Sequence, residues 1–156
     1  MTNNGHGVVY VLNFANGQHV TITGGPLKSA YVLHSFHMHW PSEHTVNGIQ
    51  FQAELHLVHF KSDYRNLTAA KLKHDGLAVL SFFYDRNSIL KKPNDMFNIL
   101  QGVRNTNTTT TVTRWNQSIT KLVGPERFSV YNYQGSITSP TCNEVVTWMV
   151  NLRFVQ

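Results

Sequence analysis

Apolar and polar residues alternate with a period of two through much of this 156-residue chain, and a helical period is rare. Ser29 to Trp40 is rich in aromatic, β-branched and His residues, which predicts an extended strand. Residues two apart in a strand share a face. His37 and His39 then project together, and Phe36, Met38 and Trp40 project the other way. Pro41 and a short strand over 42–46 lead into Asn47-Gly48, a strong hairpin-turn signal. A second alternating strand follows from Ile49 to Phe60, with Glu54, His56 and Val58 on one face and Leu55, Leu57 and His59 on the other. Upstream, Val8 to Phe14 reads as a strand, Ala15-Asn16-Gly17-Gln18 as a turn, and His19 to Thr23 as the return strand. Gly24-Gly25-Pro26 then punctuates.

Downstream, residues 61–75 read as a polar loop with one helical turn around Ala69 to Leu72. Leu77 to Tyr84 is an apolar run, expected at the centre of a sheet. Asn94-Asp95 is a cap for a short helix carrying Met96, Phe97, Ile99, Leu100 and Val103 on its apolar side. Asn105 to Thr111 reads as an exposed Asn/Thr loop, and strands near 128–133 and 144–154 finish the chain. The fold class is mainly β, a β-rich α+β domain over 1–156, with no repeat and short peripheral helices.

The two His-bearing strands raise a question of chemistry. If they lie close in one sheet, His56 joins His37 and His39. Three imidazoles, no thiolate and a fourth position left open describe a catalytic zinc (Zn2+) site. A His-x-His pair alone is weak evidence; a third His on a neighbouring strand with a same-face Glu is much stronger. Glu54 and Glu43 are both at hand to accept the outer ring N–H of a ligand.

Ser35-Phe36-His37-Met38-His39-Trp40, Ser42-Glu43-His44-Thr45-Val46 and Ala53-Glu54-Leu55-His56-Leu57-Val58-His59 together resemble the zinc-site signature of the α-class carbonic anhydrases. Asn3-Asn4-Gly5-His6, Gly24-Gly25-Pro26-Leu27, Gly76-Leu77-Ala78-Val79-Leu80, Gly135-Ser136-Ile137-Thr138-Ser139-Pro140 and Val145-Val146-Thr147-Trp148 extend the resemblance in family order. It implies a large, mostly antiparallel twisted sheet, zinc on His37, His39 and His56, and reversible hydration of carbon dioxide to bicarbonate and a proton. It casts Thr138 as a hydroxyl that orients the nucleophile and hydrogen-bonds to Glu43, and His6 as a proton shuttle. It places Glu54, Ser35 and His44 behind the ligands, and Val58, Val79, Ile137, Ser139, Val146 and Trp148 around the substrate. His44 and His59 occupy structural positions in that scheme, and His19, His34 and His74 receive no role.

Two departures stand out. Ser35 replaces a Gln that usually holds the first ligand, and is too short to reach His37 in the same way. Trp40-Pro41-Ser42 leaves almost no loop after the metal strand. A contrasting reading is a catalytically weak or inactive binding module on the same scaffold, but relatives of that kind usually lack a zinc His and this chain has all three. The chain also resembles a core trimmed at both ends. On that reading, strand edges and apolar faces at 77–84 and 144–154 are exposed and invite self-association or a partner chain.

Composition narrows the field further. One domain of this length buries about 68–70% of its unfolded surface. Only 13% of residues are charged, against about 25% in ordinary globular proteins. The net charge of +5 is modest, and no basic run exceeds Lys91-Lys92, so nucleic acid is not favoured. No stretch approaches the ~20 apolar residues of a membrane helix, and no signal peptide is visible. Cys142 is the single cysteine. It is either an ordinary small buried residue or, by the resemblance, half of a disulfide to a cysteine outside this chain. Three acceptor sequons begin at Asn66, Asn107 and Asn116. With Cys142 they point to a secreted, glycosylated chain, the cytoplasm being the alternative.

Overall fold

The computed structural model describes residues 1–3, 8–14, 18–85, 109, 119, 123 and 129–155. Among these residues, ten strands form in chain order: β1 (Thr2–Asn3), β2 (Val8–Val11), β3 (Thr21–Gly24), β4 (Leu27–His39), β5 (Thr45–Val46), β6 (Ile49–Gln50), β7 (Ala53–Lys61), β8 (Leu77–Tyr84), β9 (Val130–Gly135) and β10 (Val146–Val155). Eight of them make one sheet in the order β1-β2-β4-β7-β8-β10-β9, with β3 also paired to β4. The pairs are antiparallel except β8–β10, which is parallel. The expected large, mostly antiparallel sheet is therefore present.

The apolar run 77–84 lies in the interior, with all eight residues of β8 buried between β7 and β10. It is not an exposed apolar face, contrary to the expectation for a trimmed core. In β10, residues 146–151 are buried and Leu152 is exposed. The run is also not wholly apolar: Ser81 sits inside it at 0% exposure.

Val8–Val11 and Thr21–Gly24 do not form a hairpin with each other. Both run antiparallel along the same edge of β4, β2 against Ser35–Met38 and β3 against Leu27–Val32. The backbone bonds Leu12 N to His34 O and Val20 O from Leu33 N continue the two ladders toward one another. A long strand can accept two short partners end to end, and alternation alone does not distinguish this from a hairpin.

The expected strand 49–60 is broken at Phe51-Gln52. Buried Ser42 draws the backbone aside there. Ser42 N donates to Phe51 O at 3.0 Å, Phe51 N donates to Ser42 Oγ at 2.9 Å, and Gln50 Nε2 donates to Ser42 O at 2.8 Å. The Asn47-Gly48 turn forms as expected, joining β5 to β6 with φ of 52° and 78°. Those angles are the positive pair that Asn-Gly tolerates best.

A bulge in β4 sets the faces. Leu33 pairs with His59 and Ser35 with Val58, leaving His34 as the extra residue. One side of the sheet packs Tyr31, Leu33, Phe36, Met38, Leu55, Leu57, Leu80, Phe82 and Met149 into the main core. Full burial of a side chain such as Phe36 or Leu55 contributes about 1.5–3 kcal/mol. The other side gathers Leu77, Val79, Val146 and Trp148 with Val58, Phe60, Leu67 and Ile137. This second, smaller cluster is the floor on which the site is built.

Between β7 and β8, α1 (Leu67–Ala70) is one short turn. It begins two residues before the expected Ala69 because Asn66 caps it, its side chain accepting from Ala69 N at 2.9 Å. The loop is closed by Asp75, whose carboxylate takes the Lys61 ammonium and the Tyr64 hydroxyl. The helix expected after Asn94-Asp95 lies outside the described residues. So does the Asn105–Thr111 loop apart from Thr109, which bridges to Thr2.

Candidate metal centre

Cross-strand register brings the three histidines together. His37 of β4 faces His56 of β7, and His39 faces Glu54. With a period of two, the even positions 54, 56 and 58 on β7 meet the odd positions 39, 37 and 35 on β4. One candidate ligand atom from each of His37, His39 and His56 lies within 4.8 Å of the others. His37 Nε2 and His56 Nδ1 are 3.3 Å apart.

Glu54 decides which nitrogen His56 offers. The carboxylate is wholly buried, and its Oε1 lies 2.8 Å from His56 Nε2. A carboxylate only accepts, so Nε2 carries the proton and Nδ1 turns its lone pair toward His37 and His39. The same carboxylate accepts from His44 N at 2.8 Å, His44 Nδ1 at 2.5 Å and the Ser81 hydroxyl at 2.5 Å. Burial alone pushes the Glu54 carboxyl up, but the bonds from His44 and His56 and the Ser81 hydroxyl together hold it below the usual carboxylate range. His44 then accepts at Nε2 from the Tyr133 hydroxyl, 2.7 Å away. Trp148 packs edge-on against both His44 and His56, with ring centroids 4.9 Å apart in each case.

The donor set fits a zinc ion. His39 Nε2 is buried and has no hydrogen-bond partner, a costly arrangement unless something else takes its lone pair. Burial, with the neighbouring His56 and His39, pushes His37 down to about 3. His39 is also lowered, first by burial and then by His56. Neutral imidazoles are the form that ligates. The other cluster, His44, Glu54 and His56, has its atoms committed to hydrogen bonds with one another.

The remaining predicted positions fall as follows. Glu43 is partly exposed, its Oε2 lying 3.4 Å from His39 Nε2 and 3.8 Å from His56 Nδ1. A cavity of about 480 Å³ opens over the triad and is lined by Glu43, Thr138, Ser35, Val58, Val79, Ile137, Ser139, Val146 and Trp148, among others. Thr138 lies exposed in the loop after β9 and makes no hydrogen bond to Glu43 among the described residues. Ser35 is buried beside Val58. His59 is buried on the opposite face, where burial lowers it to about 4. His6 lies outside the described residues. Cys142 is free and exposed, so the buried-residue alternative does not hold. No described helix is long and apolar enough to cross a membrane.

Sequence reasoning missed Ser81 and Tyr133. The signal for Ser81 was present: it is the one small polar residue in an apolar run, and its register partner on β7 is His56. Tyr133 carries no comparable local mark.

Comparison with known proteins agrees with this geometry. The model of the eukaryotic-type carbonic anhydrase family matches residues 1–156. Carbonic anhydrase 12 of Homo sapiens is 37% identical over 158 residues, covering 96% of this chain and 42% of that protein. Carbonic anhydrase 1 of Oryctolagus cuniculus is 36% identical, covering 89% of this chain and 61% of that protein. Carbonic anhydrase 7 of Homo sapiens is 37% identical, with coverages of 96% and 58%. The chain thus spans about half the length of the curated relatives it matches. It belongs to the eukaryotic-type carbonic anhydrase family.

Proposed function

We propose that this chain carries the zinc centre of a lyase that reversibly hydrates carbon dioxide to bicarbonate and a proton. The observation that carries the reading is the convergence of His37 Nε2, His39 Nε2 and His56 Nδ1, with Glu54 holding His56 in the tautomer that leaves Nδ1 free. Zinc in such a site supplies an acidified water as nucleophile, chemistry of which carbonic anhydrase is the standing example. A binding module has no need of three neutral imidazoles aimed at one point, with His39 Nε2 buried and without a hydrogen-bond partner.

The chain's own residues divide the remaining tasks. Val58, Val79, Ile137, Val146 and Trp148 offer carbon dioxide an apolar wall beside the triad. Ser139 lies at the rim of the same cavity. The Thr138 hydroxyl orients the nucleophile by accepting its hydrogen bond and donating one of its own to Glu43. That contact requires Glu43 to turn from His39 and His56, which a partly exposed side chain does at little cost. His6 takes the released proton to bulk buffer. Stopped-flow hydration of carbon dioxide tests the reading. The zinc-loaded chain is expected to catalyse, and removal of zinc by a chelator to abolish catalysis reversibly. A zinc-loaded chain that does not accelerate hydration supports the binding-module alternative.

The same reading includes export and glycosylation. Asn66 is exposed and uses only its side-chain oxygen to cap α1. Its amide nitrogen is left for a glycan. A mass shift on deglycosylation of protein made in a secretory host tests this, and an unchanged mass refutes it.

A further inference from the structure

Two nitrogen bases line the cavity and have no part in the zinc chemistry. Strict alternation would turn His34 and Ser35 to opposite faces. The bulge instead puts both on the cavity side, between core-facing Leu33 and Phe36. His34 Nδ1 is buried there with no hydrogen-bond partner. Lys71, at the end of α1, lines the same cavity. Its backbone carbonyl accepts from Asn143 Nδ2 at 2.9 Å, tying the helix end to the loop that carries Ser139 and Pro140. The basic side chains described in ion pairs with carboxylates do not include Lys71. The acid in the cavity, Glu43, faces the triad instead.

A lysine and a histidine that line one cavity, neither side chain with a hydrogen-bond or ion-pair partner among the described residues, form a recognition point for a planar anion. We infer that His34 and Lys71 bind a small carboxylate or bicarbonate-sized oxyanion inside this cavity, apart from the histidine triad. One anion oxygen takes a charge-assisted bond from Lys71, and the other accepts a hydrogen bond from the His34 ring. Burial, and then the charge of Lys71, lowers His34. The ring is therefore a neutral donor at pH 7 and the net charge of the point is +1, which suits a monovalent anion. The inference deepens the reading above by giving an anionic product a second resting place, yet it needs neither zinc nor the triad. Each can therefore fail alone.

The test is a titration of the full chain, stripped of metal with EDTA, with sodium acetate at constant ionic strength and pH 7.5. Chloride is the control, and the NMR signals of the His34 ring and the Lys71 side chain are followed. Saturable shifts at both residues, displaced by bicarbonate, are expected. Lys71→Met should weaken acetate about tenfold, equal to about 1.4 kcal/mol. His34→Phe should weaken it in the same direction, and Lys73→Met, at an exposed lysine of the same segment, should not. Three results would overturn the inference: shifts that match chloride and never saturate, an equal loss in Lys73→Met, or shifts confined to His37, His39 and His56.

Discussion

His56 Nε2 lies 2.8 Å from Glu54 Oε1, a bond in which both side chains are almost wholly buried. The same carboxylate holds the ring and backbone of His44 and the Ser81 hydroxyl. Glu54→Ala would leave all of these donors unsatisfied. We predict a loss of about 3–5 kcal/mol in urea unfolding, the usual cost of breaking a buried network by removing one partner. Glu54→Gln keeps the volume and should fold better, with zinc affinity weakened about 10–100-fold. Equal zinc affinity in Glu54→Gln and the parent would mean that Glu54 does not set the His56 tautomer.

Gly76 closes tightly onto the end of α1. A Cβ there would collide with the backbone carbonyl of Ala70, and backbone cannot swing aside as a side chain can. Gly76→Ala should destabilise by about 3 kcal/mol, at the upper end of overpacking costs. It should also move the cavity wall that holds Leu67 and Lys71. A thermal melt within a degree of the parent would show that the loop absorbs the methyl freely.

Asp75 ties Lys61 and Tyr64 across the loop before β8. The bonds from Lys61 and Tyr64 hold its carboxyl below the ordinary Asp value. A folded-state value lowered in this way adds stability above the unfolded Asp value, and that stability fades as pH falls through the folded one. Asp75→Asn should therefore be slightly less stable than the parent at pH 7, and the gap should close on acidification toward pH 2–3. The group is exposed, so the effect is small and weakens further in high salt. A gap that stays constant from pH 7 to pH 3 would contradict the assignment.

Thr138 lies exposed on the cavity rim, so its removal should leave stability within about 0.5 kcal/mol. If it orients the nucleophile, Thr138→Ala should lower carbon dioxide hydration about a hundredfold, the scale of a lost positioning contact. Bound zinc should stay at the parental level. Parental hydration in this variant would reject the role.

Much of the sheet and its His cluster was legible because period-two alternation needs no tertiary information. That alternation puts His37 with His39, and Glu54 with His56, on shared faces before any neighbour is known. The family blocks then supply Thr138 and the apolar wall. What alternation could not reveal are the places where the backbone leaves the ladder. Ser42 breaks the strand at Phe51-Gln52 through bonds eight or nine residues away in sequence. The bulge at His34 shifts the phase of β4, turning a histidine without an expected role into the cavity. Two short strands sharing one edge of β4 read locally like a hairpin. Tyr133 reaches His44 only through the β9–β10 pairing, which its own segment does not encode.

The central claim is that His37, His39 and His56 hold one zinc. The most direct measurement is the metal content of the purified chain and of His56→Ala, after equilibration with limiting zinc and removal of loosely bound ion. We predict one zinc per parent chain and less than about a tenth of that in the variant, since two imidazoles without the third do not retain zinc under such conditions. Equal stoichiometry in the two proteins, or no retained zinc in the parent, would contradict the account.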